Sequence, residues 1–216
     1  MVFLRLAKQI GERLRKIPKI WDGREAILEM RDANYPHWRQ MEWIGFYFQF
    51  LCEKYLSNFM EIPGLRYENT KFDGFKDILW DFKTHVINTN KYKIIVNDSK
   101  TIAEAIDDFD SVGLIIAFGE AIYDDESRSF QNWHNALKGG LSKYTIKRIE
   151  RGSWSRIRKV YFELKQINFV EINDDVLIRS GTFQSNFRNS NGLPRKEKVL
   201  LDLNEIDEGT IYSIKF

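Results

Sequence analysis

Apolar residues recur at helical spacing through the first quarter of the chain and predict three helices. Pro18 closes the first helix, Asp22 and Glu25 have the spacing of a capping box that opens the second, and Pro36 suits the first turn of the third. The third helix should run to about Tyr55. Because its centre, WIGFYFQFLC, is apolar nearly all round, we expect it to be central and buried.

Apolar and polar residues alternate from residue 78 to residue 87, which is the period of a β-strand. Trp80 and Phe82 face one side of this strand, whereas Asp81 and Lys83 face the other. YKIIV, at 92 to 96, is expected to pair with it. The continuous apolar run SVGLIIAFG is typical of a strand covered on both faces. A helix through about Phe109 should lie between these last two segments.

The pattern changes after Gly140 to basic loops and short alternating runs such as FVEI, VLIRSGTF and KVLLDL. Together, these patterns predict an α/β fold in which a central mixed β-sheet is flanked by helices, with a basic and more β-rich C-terminal part. Of the 216 residues, 43% are hydrophobic, enough for one sizeable core. We therefore expect residues 1–216 to form a single domain.

Composition excludes several classes of protein. The N-terminus scatters basic residues through its apolar positions and lacks the continuous segment and cleavage site of a signal peptide. No window approaches the roughly 18 to 20 uncharged apolar residues of a membrane helix. The single cysteine, Cys52, can form neither an internal disulfide nor a thiolate zinc cluster. We expect a cytoplasmic protein that has no membrane partner.

The net charge is only +2, but charge is distributed unevenly. Residues 98–126 hold nine acids against one base, whereas residues 143–160 hold seven bases against one acid. The basic segment, KYTIKRIERGSWSRIRK, interleaves its bases with aromatic, hydroxyl and glycine residues, as a surface that grips phosphates would. A solvated basic helix face explains the same pattern.

The most specific chemistry lies on the alternating strand. Asp81 and Lys83 are separated by roughly 6 to 7 Å along one face and can reach a shared point. Asp73 lies in a predicted turn that can bring it beside the strand, and Glu42 is predicted to lie in the middle of the third helix, where a buried carboxylate needs compensation. A Mg²⁺ ion held by Asp73, Asp81 and Glu42 would supply it, with Lys83 assisting at a phosphate.

Simpler explanations remain open for each of these residues. An Asp-x-Lys triplet is common in a charged chain and is most often a solvated ion pair. Glu42 can equally be a salt-bridge partner of an arginine such as Arg39. The conjunction of Asp73, Asp81, Lys83 and Glu42 is what favours a functional centre.

FDGFKDILWDFKTH, preceded by the helix YPHWRQMEWIGFYFQFL, resembles the PD-(D/E)XK nuclease superfamily and, within it, the type II restriction endonucleases. The resemblance covers about residues 34–123. It implies a restriction-endonuclease-like fold in which Asp73 is the first acid, Asp81 the second, Lys83 the lysine and Glu42 the helix acid. No proline precedes Asp73 and its gap to Asp81 is short, so Asp77 is a rival for the first acid.

The resemblance also implies double-stranded DNA as partner, Mg²⁺ as cofactor and a two-fold homodimer for a palindromic site. Residues at about 140–216 would then recognise DNA, and Tyr35 could insert toward the bases. The other candidate contacts come from the basic segment and from the turn-rich FRNSNGLPRKEK: Lys147, Arg148, Arg151, Arg156, Arg158, Arg188, Asn189, Asn191 and Arg195. The alternatives are a non-catalytic DNA-binding protein and a structure-specific nuclease of the same fold.

Overall fold

A computed structural model of the protein describes residues 2–67, 70–89, 92–153, 155–184, 193–194 and 196–216. The α-helices in these ranges are α1 (Val2–Leu14), α2 (Gly23–Asp32), α3 (Trp43–Leu56), α4 (Ser99–Phe109), α5 (Ser129–Leu137), α6 (Lys143–Glu150) and α7 (Asp174–Ser180). Short 3₁₀ helices lie at Pro36–Arg39, Ile87–Thr89 and Glu208–Thr210. The strands are β1 (Ile20–Asp22), β2 (Arg66–Tyr67), β3 (Thr70–Lys71), β4 (Gly74–Lys76), β5 (Ile78–Val86), β6 (Lys93–Asp98), β7 (Val112–Tyr123), β8 (Lys159–Ile172), β9 (Gly181–Gln184), β10 (Lys198–Asp202) and β11 (Ile211–Lys215).

The main sheet has the strand order β1-β8-β7-β5-β4, and β11 pairs with β8 as well. The β5 and β7 strands run parallel, while the other neighbours in this sheet are antiparallel. A parallel pair needs a crossover connection, which here includes β6 and α4. The predicted α/β fold with a central mixed sheet flanked by helices is confirmed.

Two hydrophobic clusters cover the two faces of this sheet. One cluster joins α1, α2 and α3 to Trp80 and Phe82 of β5. The other joins α4 and a second sheet, of order β6-β10-β9, to Leu79 of β5 and to β7. Because β5 and β7 are covered on both faces, their side chains are buried almost throughout, as the apolar run in β7 predicted.

The third helix differs from its prediction. Pro36–Arg39 forms a separate 3₁₀ turn, Gln40 is extended, and α3 begins only at Trp43. Long-range contacts anchor this turn to α5 and to the residue after it. The carbonyl of Trp38 lies 3.0 Å from Nε2 of His134, and Arg39 donates to the Lys138 carbonyl at 2.8 Å. The helix is nonetheless buried along much of its length, as expected.

Two further expectations need correction or refinement. The segment containing YKIIV forms β6, which pairs with β10 rather than with β5, so that expectation was wrong. The C-terminal part is rich in strands, but two of them belong to the main sheet, where β8 pairs with β7 and β11 pairs with β8. Among the described residues, no helix is both long enough and apolar enough to cross a membrane.

Candidate active site

A tight hairpin brings two carboxylates together at one edge of the main sheet. The β4 and β5 strands pair antiparallel with Gly74 opposite Trp80, so that one step further along Asp73 comes opposite Asp81. Directly opposed residues of an antiparallel pair have their side chains side by side. The short sequence gap between the two acids is therefore a consequence of the short hairpin.

Hydrogen bonds hold the Asp73 carboxylate at the exposed edge of β5. Its Oδ2 accepts from the Phe82 amide at 2.7 Å, and its Oδ1 accepts from Nε2 of Gln49 at 3.1 Å. The amide of Gly64 donates to the Phe72 and Asp73 carbonyls at 3.0 and 3.3 Å. A side chain at Gly64 would lie 2.5 Å from the Gly74 backbone, so this close approach requires glycine.

Asp81 and Lys83 form an ion pair on one face of β5, as the strand period predicted. Lys83 Nζ lies 2.8 Å from Asp81 Oδ2, and the side chains are 24% and 3% exposed. The approach is an ion pair without hydrogen-bond alignment, because Asp81 Oδ2 is buried and accepts no hydrogen bond within the described residues. One lysine thus faces two carboxylates.

Burial and a neighbouring acid change the protonation of Asp73. Burial raises the pKa of Asp73 to about 7, with a further rise from the Asp81 charge that outweighs the opposing effects of Lys83 and the Phe82 amide. Burial alone would lower the pKa of Lys83, but Asp81 and Asp73 outweigh it, so the net pKa is raised. At neutral pH the lysine is charged, and Asp73 carries a proton for part of the time.

These residues fit a divalent cation. A buried oxygen of Asp81 without a hydrogen bond, beside a second carboxyl group that repels its charge, is an arrangement that a cation would relieve. The part of the chain described by the structure gathers no group of three or more His, Cys, Asp or Glu side chains able to hold a metal. Mg²⁺ commonly uses only one or two carboxylates, with waters and substrate phosphate completing its coordination.

An open cleft of about 520 Å³ begins at Asp73. Asp73 is the member of the centre that lines it, whereas Asp81 and Lys83 do not. Tyr35 also lines the cleft, and burial, Glu53 and Asp73 raise the pKa of its hydroxyl. The hydroxyl therefore stays protonated and can donate a hydrogen bond.

Sequence reasoning missed two residues of α3 that line this cleft, Gln49 and Glu53. They lie four apart, which places them on the same face of a helix. The signal was present in FQFLCEKY, where a polar residue and an acid interrupt an apolar run at that spacing. Glu53, rather than Glu42, is the α3 acid that lines the cleft beside Asp73.

The position predicted for Glu42 was wrong. Glu42 precedes the first residue of α3 instead of lying in its middle, its side chain is 76% exposed, and it accepts from Lys159 Nζ at 3.0 Å. Seven residues of helix, roughly 10 Å, separate it from Gln49, the partner of Asp73. Because it is solvated and paired, Glu42 needs no metal to offset its charge.

The choice between Asp73 and Asp77 follows from the hairpin. Asp77 lies at its tip with a positive φ of 57°, a conformation that aspartate tolerates better than most residues. Its Oδ2 is 3.0 Å from Arg5 Nη2, and its side chain is half-exposed. Asp73 is the acid beside Asp81, and Asp77 points elsewhere.

The residues predicted to contact DNA have different environments. Lys147, Arg151 and Arg156 are exposed, and Arg148 is half-buried. Arg158 was predicted as a surface contact, but it is 6% exposed and packs against His134, so the prediction of an exposed position was wrong. The remaining candidates lie outside the described residues: Arg188, Asn189, Asn191 and Arg195.

The fold and this centre define a mixed α/β protein with a buried carboxylate pair and a lysine at a sheet edge. The chain matches no family model, no curated protein and no solved structure.

Proposed function

We propose that the protein is a type II site-specific deoxyribonuclease, a cytoplasmic enzyme that hydrolyses phosphodiester bonds of double-stranded DNA with Mg²⁺. The observation that carries the proposal is the carboxylate pair of Asp73 and Asp81 with Lys83 beside it. Asp73 lines an open cleft, so a substrate phosphate would approach the pair from the side of Asp73.

In this mechanism Asp73 and Asp81 would hold Mg²⁺, which when bound polarises a phosphoryl oxygen. The raised pKa of Lys83 keeps its ammonium group charged at neutral pH. Lys83 therefore acts by stabilising the negative charge that develops on the phosphate and by orienting the attacking water. That water adds to phosphorus, and one phosphorus–oxygen ester bond breaks.

The cleft supplies positioning groups for the substrate. Tyr35 and Gln49 present hydrogen-bonding groups beside Asp73, and Tyr35 is supported by an edge-to-face contact with Phe50 at 5.4 Å. The exposed Lys147, Arg151 and Arg156 offer positive charge for the DNA backbone. A palindromic recognition site would be met by a two-fold homodimer, in which each subunit cuts one strand.

The test is digestion of phage DNA by the intact chain with Mg²⁺, compared with the Lys83→Ala variant. Discrete bands are expected from the wild type and none from the variant, which should still bind DNA when Ca²⁺ replaces Mg²⁺. Undiminished cleavage by Lys83→Ala would exclude the mechanism. A smear would favour a nonspecific nuclease, and cleavage limited to junctions or mismatches a structure-specific one.

The exposed basic residues favour a second candidate, a non-catalytic DNA-binding protein. In that protein the carboxylates would serve only the fold. DNA binding that weakens steeply with salt, with no cleavage in Mg²⁺, would support it in place of the nuclease.

A further inference from the structure

A second cavity, of about 110 Å³, lies between α5, α6 and the residues Ser153, Ser155 and Arg158. Three arginines line it, namely Arg128, Arg148 and Arg158. The other polar residues around it carry amide or hydroxyl groups, and none of its described lining residues is acidic: Gln131, Asn132, Asn135, Thr145, Ser153 and Ser155. The cavity therefore concentrates positive charge and hydrogen-bond donors.

Arg158 is the most deeply buried of the three arginines, with 6% exposure. Its Nη1 lies 3.0 Å from Nδ1 of His134, whose Nε2 lies 3.0 Å from the Trp38 carbonyl. Because a carbonyl can only accept, Nε2 carries the hydrogen and Nδ1 accepts from Arg158. His134 therefore orients the guanidinium without neutralising its charge.

Burial, followed by the charge of Lys138, lowers the pKa of His134 to about 4, which keeps the imidazole neutral. The Nε of Arg158 is buried and meets no acceptor within the described part of the chain. A buried guanidinium that lacks both a counter-ion and a full set of acceptors costs several kcal/mol.

The two acids whose charges act on Arg158, namely Glu42 and Asp124, accept hydrogen bonds from other groups. Asp124 accepts from the amides of Phe130 and Gln131 at 3.2 and 3.0 Å, where it caps the first turn of α5. Glu42 accepts from Lys159. Arg158 forms no salt bridge with any carboxylate in the described ranges, so Glu42 and Asp124 act on its charge only from a distance and offset it only in part.

Hydrogen bonds among the lining residues also fix the shape of the cavity. Arg128 Nη1 donates to the Ser155 carbonyl at 2.8 Å and to Gln131 Oε1 at 3.1 Å, and Gln131 Nε2 donates to Ser155 Oγ at 2.8 Å. Arg148 Nη2 donates to Ser153 Oγ at 3.2 Å. These contacts fix the guanidinium groups around a common space before any ligand arrives.

We propose that this cavity binds a phosphate group through Arg158, Arg148 and Arg128. Guanidinium forks match the oxygens of a tetrahedral oxyanion and form charge-assisted hydrogen bonds to it. The volume suits a phosphate and is too small for a nucleoside. The phosphate can be a free ion or part of a nucleic acid, and the site is separate from the carboxylate centre and does not depend on the proposed nuclease activity.

The experiment is thermal unfolding of the full chain during titration with inorganic phosphate, with chloride holding the ionic strength constant. Phosphate should raise the melting temperature saturably, because it binds only the folded state. Arg158→Met should weaken the apparent affinity at least about tenfold. The matched control is Arg179→Met, which removes an exposed arginine of α7 that does not line the cavity, and it should behave as the wild type does.

Equal responses of the wild type and Arg158→Met, or phosphate stabilising no more than chloride, would overturn the proposal. If Arg158→Met does not fold, Arg148→Met, which replaces a half-buried residue, must weaken phosphate binding in its place. Competition by DNA duplexes then identifies the source of the phosphate. A terminal phosphate is supported if only 5′-phosphorylated duplexes compete, a backbone phosphate if both kinds do, and the free ion if neither does.

Discussion

The carboxylate centre and the arginine cavity both bury ionised side chains, but they offset the charge in different ways. At the carboxylate centre, Lys83 lies 2.8 Å from Asp81 on the same strand. In the arginine cavity, Arg158 is 6% exposed and faces a neutral histidine. The first region thus contains its own counter-charge at close range, whereas at the second we propose that a phosphate ligand supplies it.

This difference shows how sequence distance relates to charge compensation. Asp81 and Lys83 are two residues apart on a strand, where the backbone period alone places them together. Arg158, His134 and Trp38 come from three distant segments and meet only after the sheet and its helices have assembled. An ion pair between residues two apart on a strand can therefore be predicted from sequence. A buried charge whose neighbours come from distant segments cannot.

The largest expected effect is a loss of DNA cleavage when a carboxylate of the centre is replaced, compared with a replacement elsewhere in the same hairpin. Replacing Asp73 or Asp81 by Asn should lower Mg²⁺-dependent DNA cleavage by roughly 10²- to 10³-fold, because each change removes a metal-binding carboxylate. Asp77→Asn is the matched control, since Asn tolerates the same positive φ and Asp77 contacts Arg5 instead. Rates of plasmid nicking measure all three variants. Equal loss in Asp77→Asn would show that the hairpin as a whole, and not the carboxylate pair, is needed.

A smaller effect is expected on the free energy of unfolding, which allows the two regions to be compared directly. Without metal, Lys83→Met should lower the free energy of unfolding by roughly 2 kcal/mol, because it leaves two buried carboxylates without a cation. Arg158→Met should change it by at most about 1 kcal/mol in phosphate-free buffer, because no described carboxylate loses a partner. Urea denaturation measures both. A loss in Arg158→Met as large as that in Lys83→Met would mean that the cavity arginine has a counter-charge within the protein.

The smallest expected effect is the pH dependence of the centre. Because the folded-state pKa of Asp73 is raised from 3.8 to about 7, the folded protein holds a proton that the unfolded chain has released between these values. This contribution to stability is present below pH 3.8 and is lost as pH rises through 7. As pH rises from 5 to 8, the free energy of unfolding of Asp73→Asn should therefore increase by roughly 1 to 2 kcal/mol relative to that of the wild type.

Denaturation with urea at the two pH values checks this sign. Added Ca²⁺ should stabilise the wild type at pH 8 and have little effect on Asp73→Asn, because the ligands must be deprotonated to bind it. A difference between wild type and variant that does not change with pH would contradict the raised pKa of Asp73.

Much of the fold could be predicted from local patterns. The positions of α1, α2 and α4 follow from apolar spacing and capping, and the Asp22 side chain does accept from the Arg24 and Glu25 amides. The alternating and continuous apolar runs became β5 and β7. Such patterns are reliable because backbone geometry sets their period wherever an element has a buried face.

The incorrect predictions share a physical cause. Glu42 lies outside α3 because the 3₁₀ turn before that helix is held by His134 and Lys138, about one hundred residues away in sequence. Arg158 is buried because it packs against His134 of α5 and lines a cavity together with residues of α5 and α6. Nothing local to either residue indicates these contacts, since the composition of both segments suits a solvated surface equally well.

The sequence by itself determined that the chain forms an α/β fold and that Asp81 and Lys83 share one face of a strand, because both follow from periods of a few residues. Only the tertiary structure decided which acid joins them. The hairpin turns at Asp77, and the open edge of β5 presents the Phe82 amide that holds Asp73 at 2.7 Å. Partners in such a centre are chosen by strand register and edge hydrogen bonds, and these exist only once the sheet has formed.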